Sequence, residues 1–183
     1  EGLLAVCEGQ ALDKEFETRN DVSISEYLHM IDLKTGCLIG LSSELGGIVS
    51  EVDESQLILL RKFGRKIGRA FQIQDDMLEI FSDSKTMGKS LKSDLELEKK
   101  TFLMIKYEDS NPGFMREAKT MISKNYESGI LEIRKILMNS GVYNDSNDLI
   151  QLNINEANEI LNHLECDVQY LKYFSDLMEV RKF

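Results

Sequence analysis

Proline is almost absent from this chain: Pro112 stands alone among 183 residues, so long helices run uninterrupted and an all-α architecture is favoured. Cysteine and histidine are nearly as scarce. Cys7, Cys37 and Cys166 are odd in number, far apart and without a CxxC pair, and His29 and His163 sit near no matching ligand set. Neither a disulfide framework nor a zinc site is indicated, and the thiols read as packing residues in a reducing compartment. No apolar run reaches about 18 residues, which excludes a membrane-spanning helix, and no basic, apolar leader precedes the first helical pattern. Basic residues are outnumbered 22 to 32, for a net charge of −10, so the broad field repels nucleic acid and anionic membrane. Any anionic substrate must be captured by a local basic cluster. These bounds describe a cytoplasmic protein in which residues 1–183 fall within a single domain.

What is present is helical periodicity. The spacing predicts a helix from Leu3 to about Phe16, then a capping box of Ser23 and Glu26 opening a second helix that runs to about Ser50 with a break near Gly46-Gly47. From Glu54 to Phe81 apolar residues wrap most of the way round a helix, as expected in the middle of a bundle. Gly64 and Gly68, one turn apart, each cost about 1 kcal/mol against alanine in a helix, which calls for a closely packed neighbour. A polar, lysine-rich loop is expected over Ser82–Lys100 with Gly88 as hinge, then a short helix 101–108 ending before Asn111-Pro112-Gly113. Four further helices follow at about 114–124, 127–139, 143–164 and 168–181, with Gly141 at a C′ position. The chain opens in helical pattern with no initiator Met and no cap, which reads as a fragment whose amino-terminal helices are missing.

The helix over 54–81 carries the one chemically suggestive cluster. Asp75 and Glu79 share a face at i,i+4, and Asp76 and Glu79 at i,i+3. Like charges so placed repel by about 0.2–0.5 kcal/mol on an exposed helix, and more where Phe71, Ile73, Met77 and Ile80 exclude water. A hard divalent cation such as Mg²⁺ is the obvious counter-charge, since it takes one or two carboxylate oxygens and completes its octahedron with water and phosphate. Taken alone, the cluster reads first as a solvated acidic patch, since charge runs usually sit in water.

Four short motifs fall in order: Gly9-Gln10-Ala-Leu-Asp13; Lys34-Thr35-Gly36; Gly68-Arg-Ala-Phe71-Gln72-Ile-Gln-Asp75-Asp76-Met-Leu-Glu79; and Gly88-Lys89 with Asp94 and Lys99-Lys100-Thr101. With their spacing, they closely resemble the second half of the trans-isoprenyl diphosphate synthases, the family of farnesyl and geranylgeranyl diphosphate synthases. The resemblance extends from Ser25-Glu-Tyr-Leu-His-Met-Ile-Asp-Leu-Lys-Thr-Gly to the closing Glu179-Val-Arg-Lys-Phe183. It implies a class I isoprenoid synthase helical bundle, in which two aspartate-rich helices bind Mg²⁺ ions that hold an allylic diphosphate while its C–O bond ionises. The allylic cation then alkylates isopentenyl diphosphate and a proton is lost. By position, Asp75, and less directly Asp76 and Glu79, make up the second metal-binding motif. Lys34 and Lys89 contact the allylic diphosphate, Thr35, Gln72 and Lys99 support them, and Phe71 lines the cavity near the isopentenyl unit. Gln10 and Asp13 are structural or cavity-lining. The family also implies a homodimer.

Three departures stand out: Glu79 where the motif ends in aspartate, Glu98 where glycine usually precedes Lys99, and the absence of the proline common shortly after Thr101. The first aspartate-rich motif is not in this chain, so the segment alone is expected to be inactive. The alternative is a non-catalytic regulatory subunit of a heteromeric synthase, although such a subunit has no reason to keep a repulsive acidic face. A class I terpene cyclase is disfavoured, because the residues after Asp76 lack the Ser/Thr and distal Glu of that family's second metal motif.

Overall fold

The computed structural model describes residues 2–81 and 99–181, and every regular element among them is helical. Helix α1 is Gly2–Phe16 and α2 is Ile24–Ile31. A π-helical turn, Asp32–Gly36, joins α2 to α3, Cys37–Val49. Helix α4 spans Glu54–Phe81. After it come α5 (Phe102–Ser110), α6 (Phe114–Lys124), α7 (Tyr126–Ser140), α8 (Val142–Leu161) and α9 (Gln169–Val180).

The ends of these helices have local causes. The Ser23 N–H and hydroxyl both donate to Glu26 Oε2, at 2.9 and 2.7 Å, closing the expected box. Thr101 caps α5 by accepting from the Met104 N–H, and Asn125 caps α7 by accepting from the Ser128 N–H at 3.0 Å. Gly113 and Gly141 take the left-handed conformations, φ 99° and 89°, that turn the chain at the α5–α6 and α7–α8 junctions. The expected break at Gly46-Gly47 does not occur, for α3 continues through both glycines. It falls instead at the π turn, where the Cys37 N–H donates to the Asp32 carbonyl five residues back.

Two compact units make up the chain. The described residues of Glu1–Ala11, Leu28–Gln72 and Leu149–Lys182 form the first, and those of Leu12–Tyr27 and Ile73–Asp148 the second.

In the first unit the neighbour called for by Gly64 and Gly68 is the π turn with the start of α3. A Cβ on Gly68 would lie 2.7 Å from Gly36 Cα, and one on Gly64 2.6 Å from the Ile39 carbonyl oxygen. Glycine opposite glycine lets the two backbones touch. Arg61 then reaches Glu44 with both ends of its fork, while Gln56 ties α4 to the chain after α8 by donating to the His163 carbonyl and accepting from the Glu165 N–H. An apolar cavity of about 810 Å³ lies among Ile39, Phe63, Ile67, Phe71, Leu177 and Arg181.

In the second unit Phe16, Tyr27, Ile73, Met77, Leu103, Ile105, Ile133 and Leu137 are buried. Helices α6 and α7 meet where Gly129 packs on Met121, and Arg134 donates to the Ile80 carbonyl at 2.5 Å. Two expectations from the sequence are corrected. Cys7 is exposed rather than packed. Lys100, expected in a polar loop, is only 3% exposed, because the chain around it turns inward to begin α5. No helix among the described residues is long and apolar enough to cross a membrane.

Candidate active site

Lys34, Thr35, Phe71 and Gln72 belong to the first unit and Asp75, Asp76, Glu79 and Lys99 to the second. Lys89, with Gly88, lies outside the described residues.

In the first unit Lys34 and Thr35 sit in the π turn, the one place among the described residues where the helical ladder is widened. Three interactions fix that turn. Asp32, 4% exposed, accepts from Arg65 through both carboxylate oxygens and from Arg69 at 3.1 Å. Burial raises the Asp32 pKa, but the Arg65 hydrogen bonds and the charges of Arg69 and Arg65 outweigh it, so the carboxyl ends below its usual range. Thr35 donates its hydroxyl to Gln72 Oε1 at 2.8 Å, joining the Lys-Thr pair to α4. Gly9 presses α1 against the turn: a Cβ there would lie 2.7 Å from Lys34 Cα and 2.9 Å from the Leu33 carbonyl carbon. The motifs at 9–13 and 34–36 are therefore physically joined, with backbone against backbone. Phe71 is 37% exposed, lines the apolar cavity and carries the Arg181 guanidinium 4.7 Å from its ring centroid.

In the second unit the three carboxylates have different surroundings. Asp75 and Glu79 are half-buried, whereas Asp76 is 2% exposed. Asp76 Oδ2 accepts a 2.6 Å hydrogen bond from the hydroxyl of Tyr27, a fully buried residue, and Oδ1 faces the Lys99 ammonium at 3.6 Å. Lys99 pairs with Glu79 at 2.6 Å. Burial, then the charge of Asp76 and its hydrogen bond, push the Tyr27 phenol well above its ordinary pKa, so the hydroxyl keeps its proton and remains a donor. Losing that donor takes a charge-assisted hydrogen bond from a buried carboxylate, at a cost of about 1–3 kcal/mol. The sequence pattern missed Tyr27 as a site residue, since an aromatic at a core position of a helix looks like ordinary packing.

Among the described residues no three His, Cys, Asp or Glu side chains are grouped to hold a metal ion by themselves. Mg²⁺ needs only one or two protein carboxylates when water and phosphate fill its other positions. The half-buried carboxylates of Asp75 and Glu79 fit that donor chemistry, and Tyr27 and Lys99 hold Asp76 and Glu79 beside it.

Comparison with known proteins defines the class. Residues 1–137 match the family model for polyprenyl synthetase. A geranylfarnesyl diphosphate synthase of Aeropyrum pernix is 32% identical over 165 residues, covering 90% of this chain and 51% of that protein. A geranylgeranyl diphosphate synthase of Sulfolobus acidocaldarius is 42% identical over 104 residues, covering 57% of this chain and 32% of the relative. The crystal structure of geranylgeranyl pyrophosphate synthetase from Pyrococcus horikoshii superposes with a TM-score of 0.83 at 31% identity, over 99% of this chain and 56% of that one. The chain belongs to the polyprenyl synthetase family, the trans-isoprenyl diphosphate synthases, and has their all-α helical-bundle fold. It spans about half the length of the relatives that it matches from end to end.

Proposed function

We propose that the protein is a prenyltransferase that joins an allylic diphosphate to isopentenyl diphosphate and releases diphosphate. The observation that carries this reading is the acidic motif at 75–79 on a family helix, with Asp76 and Glu79 held by Tyr27 and Lys99 and the Asp75 carboxylate partly exposed. Asp75 is the principal metal ligand, with Asp76 and Glu79 supporting it. Bound Mg²⁺ supplies the positive charge that the departing diphosphate requires. Lys34 and Lys89 hold that diphosphate as point charges, and because its charge grows as the C–O bond breaks, they stabilise the transition state more than the ground state. Thr35 and Gln72, bonded to one another, keep Lys34 in register, and Lys99 steadies the acidic motif. Phe71 offers an apolar wall to the isopentenyl unit. The family's first aspartate-rich motif is not in this segment, which covers 51% of the Aeropyrum pernix relative, so the segment alone should not turn over. A cytoplasmic homodimer belongs to the same reading, and the exposed Leu3 and Leu4 of α1 offer it a surface.

The test is turnover. The whole protein is incubated with Mg²⁺, isopentenyl diphosphate and each allylic primer, and the products are sized. Chain-lengthened prenyl diphosphate with release of diphosphate is expected. No product with any primer overturns the reading in favour of a regulatory subunit.

A further inference from the structure

The reaction as drawn uses no residue of α2, yet that helix places Tyr27 against the acidic motif. Tyr27 is wholly buried, its ring 6.4 Å from that of Phe102. Its hydroxyl meets a carboxylate that is itself 2% exposed, so the bond is shielded from water on both sides. A tyrosine needed only for packing has no use for a hydroxyl there, since phenylalanine fills the same volume without a polar atom to satisfy. The short bond to a charged acceptor fixes the torsion of Asp76, and Lys99 fixes the other oxygen while also holding Glu79 one turn along. Two of the three acids are thereby pinned from the side, on the same turn of α4 that carries Asp75.

We infer that Tyr27 is a positioning residue for metal-assisted diphosphate binding: acting through Asp76, it holds the acidic turn of α4 so that the Asp75 carboxylate meets a metal–diphosphate complex already oriented. This inference rests on the proposed prenyltransferase reading. Preorganised ligands bind more tightly because less order is lost on binding. Removing the hydroxyl therefore raises the Mg²⁺ concentration required, without removing any ligand atom.

The experiment uses inorganic diphosphate as the probe on the whole protein, titrated calorimetrically at rising Mg²⁺ and well below the melting temperature. Tyr27→Phe should need about tenfold more Mg²⁺ for half-saturation, equivalent to about 1.4 kcal/mol. Ile133→Val, which loosens the same unit at another buried site, should stay within about twofold of wild type. An unchanged Mg²⁺ requirement in Tyr27→Phe, or an equal rise in both variants, overturns the inference. Should Tyr27→Phe fail to fold, it is made in an Asp76→Ala background, where neither the buried charge nor the acceptor of the Tyr27 hydroxyl remains. There it should add no further loss, because the route through Asp76 is already gone; an additional loss overturns the inference. If wild type shows no Mg²⁺-dependent diphosphate binding, the prenyltransferase reading falls and this one with it. If wild type binds and Asp75→Ala does not, only the Tyr27 result is at stake.

Discussion

Gly9→Ala is a small change with two opposed effects whose sizes can be worked out. In the middle of α1, alanine should gain about 1 kcal/mol over glycine from helix propensity. Against that, the new methyl would sit 2.7 Å from Lys34 Cα and 2.9 Å from the Leu33 carbonyl carbon, and closer still to the Lys34 nitrogen. Ordinary carbon contacts lie at about 3.5–4.0 Å, so a gap of about 1 Å must open between α1 and the π turn. The obstacle is backbone, which no rotamer change can move aside. Overpacking of this kind costs typically 1–3 kcal/mol, and here it falls at the upper end, leaving a net loss of about 2 kcal/mol. Gly46→Ala is the control, since nothing lies within 4 Å of a Cβ there and only the propensity gain should appear. In urea titrations with a slope of about 2 kcal/mol/M, the Gly9 variant should unfold about 1 M earlier than wild type and the Gly46 variant slightly later. Because the displaced atoms belong to Lys34, diphosphate affinity should fall with stability in the first variant alone. A Gly9→Ala protein as stable as Gly46→Ala would refute the account of how the two motifs are joined.

Other outcomes follow from the same geometry. Asp32 has a folded pKa below its unfolded value of about 3.9, so its contribution is fully present above that value and is lost as pH falls through the folded pKa. Asp32→Asn should therefore cost about 2 kcal/mol at neutral pH, discounted for the partial exposure of Arg65 and Arg69, and the gap between the two unfolding curves should close below about pH 4. In the whole protein Asp75→Ala should lower turnover by orders of magnitude and Glu79→Ala by less; equal rates for wild type and Asp75→Ala would refute the metal assignment. Asn125→Ala removes the cap of α7 and should cost about 1 kcal/mol by thermal melting, with no effect on diphosphate binding.

Helix ends were legible in the sequence where a side chain or a turn decides them: Ser23 with Glu26, Asn111-Pro112-Gly113 and Gly141 lie within a residue or two of observed boundaries. The requirement that Gly64 and Gly68 meet a close neighbour was legible too, because glycine in a buried helix is costly without one. The partners were not, since a pattern along one helix does not say which backbone lies against it. For the same reason the contact of Gly9 with Lys34 and the bond from Tyr27 to Asp76, 49 residues apart, appear only in three dimensions. The π turn left no trace because Ile31, Asp32 and Leu33 continue an acceptable helical pattern, and what widens the ladder is tertiary: Asp32 drawn to Arg65 and Arg69, Thr35 to Gln72.

The π turn makes the helix on either side of it sensitive to chain length. It holds one residue more than an α-helical turn would, and each residue in a helix advances it by about 100°. Removing a single residue between Asp32 and Gly36 would leave a regular helix that secondary-structure content could not distinguish from the original. It would nevertheless swing Gly40 and Glu44 away from Gly64 and Arg61 by more than a quarter of a turn. Substitutions at these positions act one contact at a time, whereas a one-residue deletion would misalign all of them together. Insertions and deletions within 32–36 should therefore be far less tolerated than changes of residue type.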